Sequence, residues 1–221
     1  MIIRNPTHIE DVENFLAHGH RRRYPAKSTI IYAGDKADTL YYVVKGTVCV
    51  LVEDTKNSKE MIVAYLNPGE FFGEMCLFED GIRSAWIRTK TDCEISEIGY
   101  LKFTELYEKN PQFLFSVTKQ ISARLRKTTQ NASNLAFLDV TGRIASTLND
   151  LSSHNDAVSH PDGMQVKITR QELAKIVVCS REMVGRVLKE LQQTGLILVR
   201  GKTILIYGRT PAIELPRKYF R

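Results

Sequence analysis

The amino-acid sequence predicts an α+β protein in which a strand-rich N-terminal part, one long helix and a mainly helical C-terminal part follow one another. Three observations lead to this fold class. Short runs rich in Val, Ile, Tyr and Thr alternate with turn-forming residues between positions 28 and 98, the stretch 110–138 has no internal glycine, and two short helical patterns precede a hairpin pattern within 169–207. The length of 221 residues is sufficient for two domains.

Composition and charge limit the classes of function. Hydrophobic content of 43% and charged content of 25% are typical of a soluble globular protein, and no apolar run approaches the ~20 residues of a membrane span. The first residues do not resemble a signal peptide, so we expect a cytoplasmic protein with no membrane partner. Residues 1–138 contain 18 Lys and Arg against 17 Asp and Glu, whereas residues 139–221 contain 13 against 8. Only the last part is therefore expected to meet a polyanion.

The cysteines and histidines indicate neither a metal site nor an enzyme. Cys49, Cys76, Cys93 and Cys179 lie far apart in apolar or strand-like contexts, which predicts buried, reduced thiols. No histidine occurs between residues 21 and 153, which excludes an imidazole metal site of the cupin type within the predicted barrel. No Ser-His-Asp set or Cys-His pair is evident, so no catalytic residue is predicted.

The N-terminal part is predicted to begin with a helix over 7–18, opened by a capping box of Thr7 and Glu10. Short strands follow at close spacing, which predicts a sandwich or a jelly-roll barrel. The predicted strands are Ser28–Tyr32, Thr39–Lys45, Thr47–Glu53, Glu60–Leu66, Ser84–Thr89 and Glu94–Ile98.

The loop between the fourth and fifth of these strands carries groups that suit a sugar phosphate. Gly73 allows close approach of the backbone, and the carboxylate of Glu74 is an acceptor for sugar hydroxyls. Ten residues later, Arg83 and Ser84 offer a guanidinium and a hydroxyl, which suit a phosphate. On residue types alone, an ion pair between Glu74 and Arg83 is the favoured alternative.

The stretch 110–138 predicts one long helix that starts at Asn110-Pro111. Apolar residues recur along it at steps of three and four in a narrow seam. Periodicity leaves two interpretations open, a helix packed on its own domain and a helix paired with a second copy. The seam consists of Leu114, Val117, Ile121, Leu125, Ala132 and Leu135, together with Thr128, whose polar side chain is the exception.

The C-terminal part predicts a winged helix-turn-helix. Asp139 is expected to cap a helix over Val140–Leu151, and a loop over Ser152–Gly163 precedes a strand over Gln165–Ile168. A capping box of Thr169 and Glu172 opens a helix that ends near Val177, and Ser180 caps a second helix over Arg181–Gln193. That helix is predicted to end at Gly195 and to direct Met183, Val187, Leu188 and Leu191 inward. A hairpin of Leu196–Val199 and Thr203–Tyr207 completes the pattern.

The exposed side chains of this part predict DNA binding. Arg181 and Arg186 are suited to guanine, and Glu182 to the amino group of cytosine. Val178 stands in the turn between the two helices, where a positive φ would strain a β-branched residue by ~1 kcal/mol or more. The remaining predicted DNA-contacting residues, mainly phosphate ligands, are Thr169, Arg170, Ser180, Lys189 and Lys202.

The segment F-x-G-E-x-x-L-F, followed by R-S-A at Arg83–Ala85, resembles the phosphate-binding cassette of cyclic-nucleotide-binding domains. From about Phe15 to Gly208 the chain resembles the cyclic-AMP receptor proteins of the CRP/FNR regulator family, with Asn134–Arg143 and Ile168–Glu172 nearly as in that family. The resemblance favours a ligand site over the Glu74–Arg83 ion pair. It implies a jelly-roll cyclic-nucleotide-binding domain over 1–109, a dimerisation helix over 110–138 and a winged helix-turn-helix domain over 139–210. The role of the tail 211–221 stays open.

The resemblance also implies roles for individual residues. Gly73 and Glu74 would bind the ribose 2′-hydroxyl of cyclic AMP, and Arg83 and Ser84 its cyclic phosphate. Thr128 of one subunit and Thr129 of the other would contact the adenine, while Arg124 would meet Glu74. Near the site the chain departs from the family in Thr129, where serine is usual, in a connection before Arg83 that is one residue shorter, and in a longer turn over 55–58.

By the same resemblance, the protein would be a homodimer that binds palindromic double-stranded DNA and recruits RNA polymerase. One surface implied to contact the polymerase lies within Ala157–Gln165, and a second is basic. Without the resemblance, His18–Arg23 would be interpreted as a solvated basic turn. The residues concerned are Ala157, Ser159, His160, Pro161, Asp162 and Gly163 in the first surface and His20, Arg22 and Lys102 in the second.

Other functions of the same fold stay open at this point. A relative could sense redox state, haem or another nucleotide, although an iron–sulfur sensor needs clustered N-terminal cysteines and none precedes Cys49. Relatives that bind cyclic di-GMP alter the phosphate-binding pair, which is intact here as Arg83-Ser84. A cyclic-nucleotide module that acts on a protein, as in a kinase regulatory subunit, has no need of a winged helix.

Overall fold

The computed structural model describes residues 12–54, 56, 59–77, 81–154 and 156–208. Parts of several predictions fall outside these residues: the capping box of Thr7 and Glu10, most of the turn 55–58, positions 78–80 of the cassette and the tail 211–221. The described chain forms two compact units that divide between Lys127 and Thr128. No helix among the described residues is long and apolar enough to cross a membrane. The α+β prediction is confirmed.

In chain order the elements are α1 (Val12–His18), β1 (His20–Tyr24), β2 (Thr29–Ile31), β3 (Thr39–Lys45), β4 (Val48–Asp54), β5 (Lys59–Leu66), β6 (Phe71–Phe72), β7 (Trp86–Thr89), β8 (Cys93–Gly99), α2 (Tyr100–Lys109), α3 (Gln112–Phe137), α4 (Val140–Ser152), β9 (Val158–His160), β10 (Gly163–Lys167), α5 (Arg170–Val177), α6 (Arg181–Gln193), β11 (Ile197–Arg200) and β12 (Thr203–Tyr207).

The first unit contains two four-stranded antiparallel sheets, with strand orders β1-β8-β3-β6 and β2-β7-β4-β5. All six predicted strands are present, because apolar and β-branched residues alternate along them and their buried members form the core. Val43 and Ile95, which are paired across β3 and β8, are fully buried. A second cluster of aromatic side chains around Phe15 and Phe71 packs the helices of this unit against the sheet.

Two strands of this unit lie outside the predicted set. The segment His18–Arg23, interpreted from residue types as a basic turn, contains the edge strand β1, which pairs with β8 through its backbone. The interpretation as a turn was wrong because His20 to Arg23 are all exposed and show no apolar alternation. The short strand β6 pairs with β3 and leads directly into Gly73.

The long predicted helix is α3, which begins directly after Pro111. Phe113 and Val117 are buried in the core of the first unit, whereas Ile121 and Leu125 are 39% and 66% exposed. The predicted seam is therefore divided between two faces, and Val117 belongs to the core face. One face of this helix packs on its own unit and another leaves apolar side chains exposed, so pairing with a second copy stays a prediction.

The second unit has a four-stranded antiparallel sheet of order β11-β12-β10-β9. Its core joins α4, α5 and α6 to this sheet through residues such as Ile144, Leu173 and Leu188. The predicted caps are confirmed: Asp139 accepts a hydrogen bond from the Gly142 N–H at 2.7 Å. Thr169 and Glu172 form the predicted capping box.

Two predictions for this unit were wrong. The predicted loop 152–163 contains the strand β9, which pairs with β10 around the turn at His160–Gly163. This strand is short and exposed, so its sequence shows no apolar alternation. On α6, Met183 is 37% exposed and the adjacent Val184 is fully buried. Val187, Leu188 and Leu191 are buried as predicted, so only the first of the four predicted inward residues was wrong.

The cysteines only partly follow the prediction. None of the four forms a disulfide bond; Cys49 and Cys93 are buried, whereas Cys76 and Cys179 are half-buried. Burial raises the pKa of the Cys93 and Cys179 thiols, which keeps them protonated at neutral pH.

The turn between α5 and α6 has the predicted strain. Val178 is the C-cap of α5 and adopts φ 55° and ψ 60°, in the left-handed region. Its N–H still donates to the Ala174 carbonyl, which satisfies the helix end. Since the side chain is 51% exposed, little burial offsets the backbone strain.

Replacing Val178 by glycine is expected to raise the free energy of unfolding by about 1 kcal/mol, because glycine adopts the left-handed region without a Cβ clash. Differential scanning calorimetry measures this change. The Val178→Ala variant is the control, since it keeps a Cβ and should gain much less. A glycine variant no more stable than the alanine variant would contradict the strain.

Candidate functional site

The cassette turns sharply at Gly73, where β6 ends. Gly73 has φ +78°, and a Cβ at this position would lie 2.7 Å from Arg83 Nη1 and 3.1 Å from the Thr39 carbonyl oxygen. Only glycine combines this backbone with so close an approach. The sharp turn brings the guanidinium of Arg83 against the backbone beside Glu74, whereas the close approach of a ligand to Gly73 stays a prediction.

Arg83 is 7% exposed, and three hydrogen bonds hold its guanidinium. Nη1 donates to the Gly73 carbonyl at 3.1 Å and to the Tyr100 hydroxyl at 3.2 Å, and Nη2 donates to the Thr39 carbonyl at 2.8 Å. The guanidinium carbon lies 5.6 Å and 5.9 Å from the ring centroids of Tyr41 and Tyr100. Burial raises the pKa of Tyr100, whose hydroxyl donates to the Gly73 carbonyl. Groups of the protein alone therefore hold the guanidinium of Arg83 in place.

Ser84 follows Arg83 in sequence but is exposed. Its hydroxyl contacts the sulfur of Met75 at 3.3 Å, and Met75 is itself 73% exposed. The hydroxyl thus lies at the surface, on the residue that follows the buried cation, and both side chains are hydrogen-bond donors for an anion.

Glu74 pairs with a helix arginine and, among the described residues, not with Arg83. Its carboxylate accepts a hydrogen bond from Arg124 Nη1 at 2.8 Å, and its side chain is 8% exposed. Arg124 Nη2 donates to the Phe71 carbonyl and lies 3.9 Å from the Glu70 carboxylate. The ion pair across the loop that residue types favoured is therefore replaced by a link from the cassette to α3, as the resemblance implied.

Gln120 makes a second link that sequence reasoning missed. It lies one turn before Arg124 on α3 and is 7% exposed. Its amide oxygen accepts from the Phe71 N–H and its amide nitrogen donates to the Gly69 carbonyl, both at 2.9 Å. The sequence places Gln120 on the same helix face as Phe113 and Val117, which are buried, and this spacing could have indicated a buried polar residue.

Thr128 and Thr129 are exposed on α3 and belong to the second unit. Their contacts with adenine stay predictions.

In the second unit, the first turn of α5, the exposed face of α6 and the turn of the wing enclose a groove of about 1030 Å³. Seven of the eight predicted DNA-contacting residues line it. Ser180 does not, because its hydroxyl caps α6 by accepting the Met183 N–H at 3.1 Å. The seven are Thr169, Arg170, Arg181, Glu182, Arg186, Lys189 and Lys202.

Hydrogen bonds hold the walls of this groove together. The Ile168 N–H donates to the Lys202 carbonyl at 2.8 Å, which ties the wing turn to the residue before Thr169. Gln192 on α6 accepts the Val199 N–H at 2.8 Å and ties the wing to the same helix that carries the predicted base-reading residues. Hydrogen bonds from its own backbone N–H and from the Ser180 hydroxyl lower the pKa of Glu182, so this acceptor is ionised at neutral pH.

The two predicted polymerase-contacting surfaces are mainly exposed. His20 and Arg22 lie on β1, and Lys102 lies on α2, where its ammonium contacts the Glu105 carboxylate at 2.7 Å. The other surface is β9 with its turn, where the Asp162 N–H donates to His160 Nδ1 at 3.2 Å. Gly163 is required there because a Cβ would lie 2.1 Å from the Ile206 carbonyl oxygen. Ala157, Ser159 and Pro161 complete this surface.

Comparison with known proteins matches both units. Residues 21–110 match the model of the cyclic nucleotide-binding domain, and residues 142–209 match that of the Crp-like helix-turn-helix domain. The cAMP-activated global transcriptional regulator Vfr of Pseudomonas aeruginosa is 55% identical over 90% of this chain and 95% of its own length. The chain belongs to the CRP family.

Other family members agree with this assignment. The cAMP-activated global transcriptional regulator CRP of Salmonella typhimurium is 54% identical over 94% of this chain and 99% of its own length. Among solved structures, the regulator CLP of Xanthomonas campestris, described as c-di-GMP responsive, has a TM-score of 0.83 and 48% identity, covering 90% of this chain and 98% of its own.

The Gln120→Leu variant is expected to lower the free energy of unfolding of the first unit by about 2–4 kcal/mol, because it removes the partners of the Phe71 N–H and the Gly69 carbonyl. Urea unfolding followed by the fluorescence of Trp86, the single tryptophan, measures it. The exposed Thr118 on the same helix supplies the control Thr118→Ala, expected to change stability by less than about 0.5 kcal/mol. Equal stability of the two variants would show that the amide bridge contributes nothing.

Proposed function

We propose that the protein is a cyclic-AMP-activated transcription regulator of the cytoplasm, which binds palindromic DNA as a homodimer and recruits RNA polymerase. The observation that carries this proposal is the cassette, in which a fixed guanidinium, a surface hydroxyl and a carboxylate linked to α3 lie together. The same chain presents a cation-lined groove on a helix-turn-helix unit. The relatives named as cAMP-activated regulators support the choice of ligand and of activity.

The side chains of the cassette suit cyclic AMP. The carboxylate of Glu74 is the acceptor for the ribose 2′-hydroxyl, and the absence of a side chain at Gly73 lets the ribose approach the backbone. Arg83 has more N–H groups than its three described bonds use, so donors remain for the cyclic phosphate together with the hydroxyl of Ser84. Cyclic AMP supplies one negative charge at the phosphate and one hydroxyl at the ribose, and the protein supplies the complementary groups. No catalytic residue forms part of this proposal.

The exposed apolar residues of α3 support a homodimer. Ile121 and Leu125 are too exposed to belong to the core of their own unit, and a second copy of the helix would cover them. In such a dimer Thr128 of one subunit and Thr129 of the other would contact the adenine. The surfaces of His20, Arg22 and Lys102 and of Ala157–Gly163 would contact RNA polymerase.

Cyclic di-GMP is the second candidate ligand, because the CLP structure at 48% identity is described as responsive to it. The intact pair of Arg83 and Ser84 favours a single cyclic phosphate, as in cyclic AMP.

Isothermal titration calorimetry tests the ligand. Wild-type protein is expected to bind cyclic AMP, and Arg83→Gln to bind it on the order of 100-fold more weakly, since charge-assisted hydrogen bonds are lost. Because Arg83 also supports the fold, Ser84→Ala is the second variant; its hydroxyl is exposed, and affinity should fall about 5- to 10-fold. Arg23→Gln, whose side chain is 89% exposed on β1, is the control. Tighter binding of cyclic di-GMP than of cyclic AMP would refute the proposed ligand.

Fluorescence anisotropy tests the DNA contacts with a palindromic duplex that the wild-type protein selects from a random library. With cyclic AMP present, Arg186→Ala should lose about 10- to 100-fold affinity for this duplex and discriminate less against other sequences. Lys202→Ala should weaken binding to the selected duplex and to unrelated duplexes equally. It should also reduce the salt dependence of binding by about one phosphate contact. Unchanged sequence preference in Arg186→Ala would contradict its role as a base-reading residue.

A further inference from the structure

Gly185 stands inside α6, in a place where the fold itself does not need glycine. In the interior of a helix, glycine is less stable than alanine because it has more backbone freedom to lose on folding. The backbone of Gly185 is helical and not left-handed, and a Cβ built on it would have no atom within 4 Å. Packing and backbone geometry would therefore both accept a side chain at this position.

Gly185 lines the groove of the second unit. Arg181 lies one turn before it and Lys189 one turn after it, and both also line the groove. The facing walls carry Arg170, from α5, and Lys202, from the wing turn. The absent side chain thus leaves open space between two cations on the helix that is predicted to read the bases.

We propose that Gly185 sets the depth to which α6 enters the major groove, so that DNA, and not the fold, requires the absence of a Cβ. This inference rests on the proposed DNA binding. A side chain at 185 would project on the same side of the helix as Arg181 and Lys189 and would lie between the helix backbone and the base edges. Hydrogen bonds from the guanidinium to a base edge need ~2.7–3.2 Å, so a small outward displacement of the helix breaks them.

The variants Gly185→Ala and Gly185→Gln test this inference, since both residues are good helix formers. The Tm is expected to rise by about 2–4 °C for the alanine variant. Affinity for the selected duplex should fall by about 10-fold with alanine and further with glutamine. Affinity for an unrelated duplex should change by less than about 2-fold, because every lysine and arginine is retained.

Gly99→Ala is the matched control. Gly99 has an ordinary φ of −63°, a Cβ there would lie no closer than 4.0 Å to its nearest neighbour, and it does not line the groove. DNA binding of this variant should equal that of wild type. Wild-type affinity of both Gly185 variants for the selected duplex would overturn the inference and leave the proposed function intact. If the wild-type protein selects no duplex with or without cyclic AMP, the proposed DNA binding itself fails.

Discussion

The cassette depends on the ion pair between Glu74 and Arg124. A carboxylate with an 8% exposed side chain has lost most of its hydration, and the Arg124 guanidinium at 2.8 Å compensates for that loss. Arg124 and Gln120 also bond to the backbone of Phe71 and Gly69, so the cassette and α3 are joined by charges and by backbone contacts. A ligand hydroxyl that donates to Glu74 would share this carboxylate with Arg124. The cassette is therefore connected directly to the helix by side-chain contacts.

The second unit is organised around a different constraint, which is the fixed spacing of cations around a groove. The hydrogen bonds of Ile168 with Lys202 and of Val199 with Gln192 hold the wing to the two helices. One surface therefore combines cations from α6, α5 and the wing turn, namely Lys189, Arg170 and Lys202. The backbone of such a surface has little ordering left to undergo on binding a duplex, although the long side chains themselves still lose rotamer freedom.

Local signals in the sequence were sufficient for much of the fold. The caps at Asp139, Thr169 and Ser180 and the strain at Val178 depend on near neighbours, and all are present. The exposed strands β1 and β9 were missed because backbone pairing holds them and apolar alternation does not mark them. In the site, Gln120 was missed because its partners lie about 50 residues away, and only the tertiary fold brings them together. The pairing of Glu74 with Arg124 came from family resemblance, since residue types alone favoured Arg83.

The basic strand β1 has a consequence for the behaviour of the protein in solution. It lies at the edge of its sheet, where backbone groups on the outer side can pair with the strand of another molecule. Arg21, Arg22 and Arg23 are all exposed along this edge, so two such edges brought together would place guanidinium groups against one another. This repulsion protects the sheet from edge-to-edge aggregation, and salt screens it within about 10 Å at 0.1 M ionic strength. This electrostatic opposition to edge pairing therefore weakens as ionic strength rises.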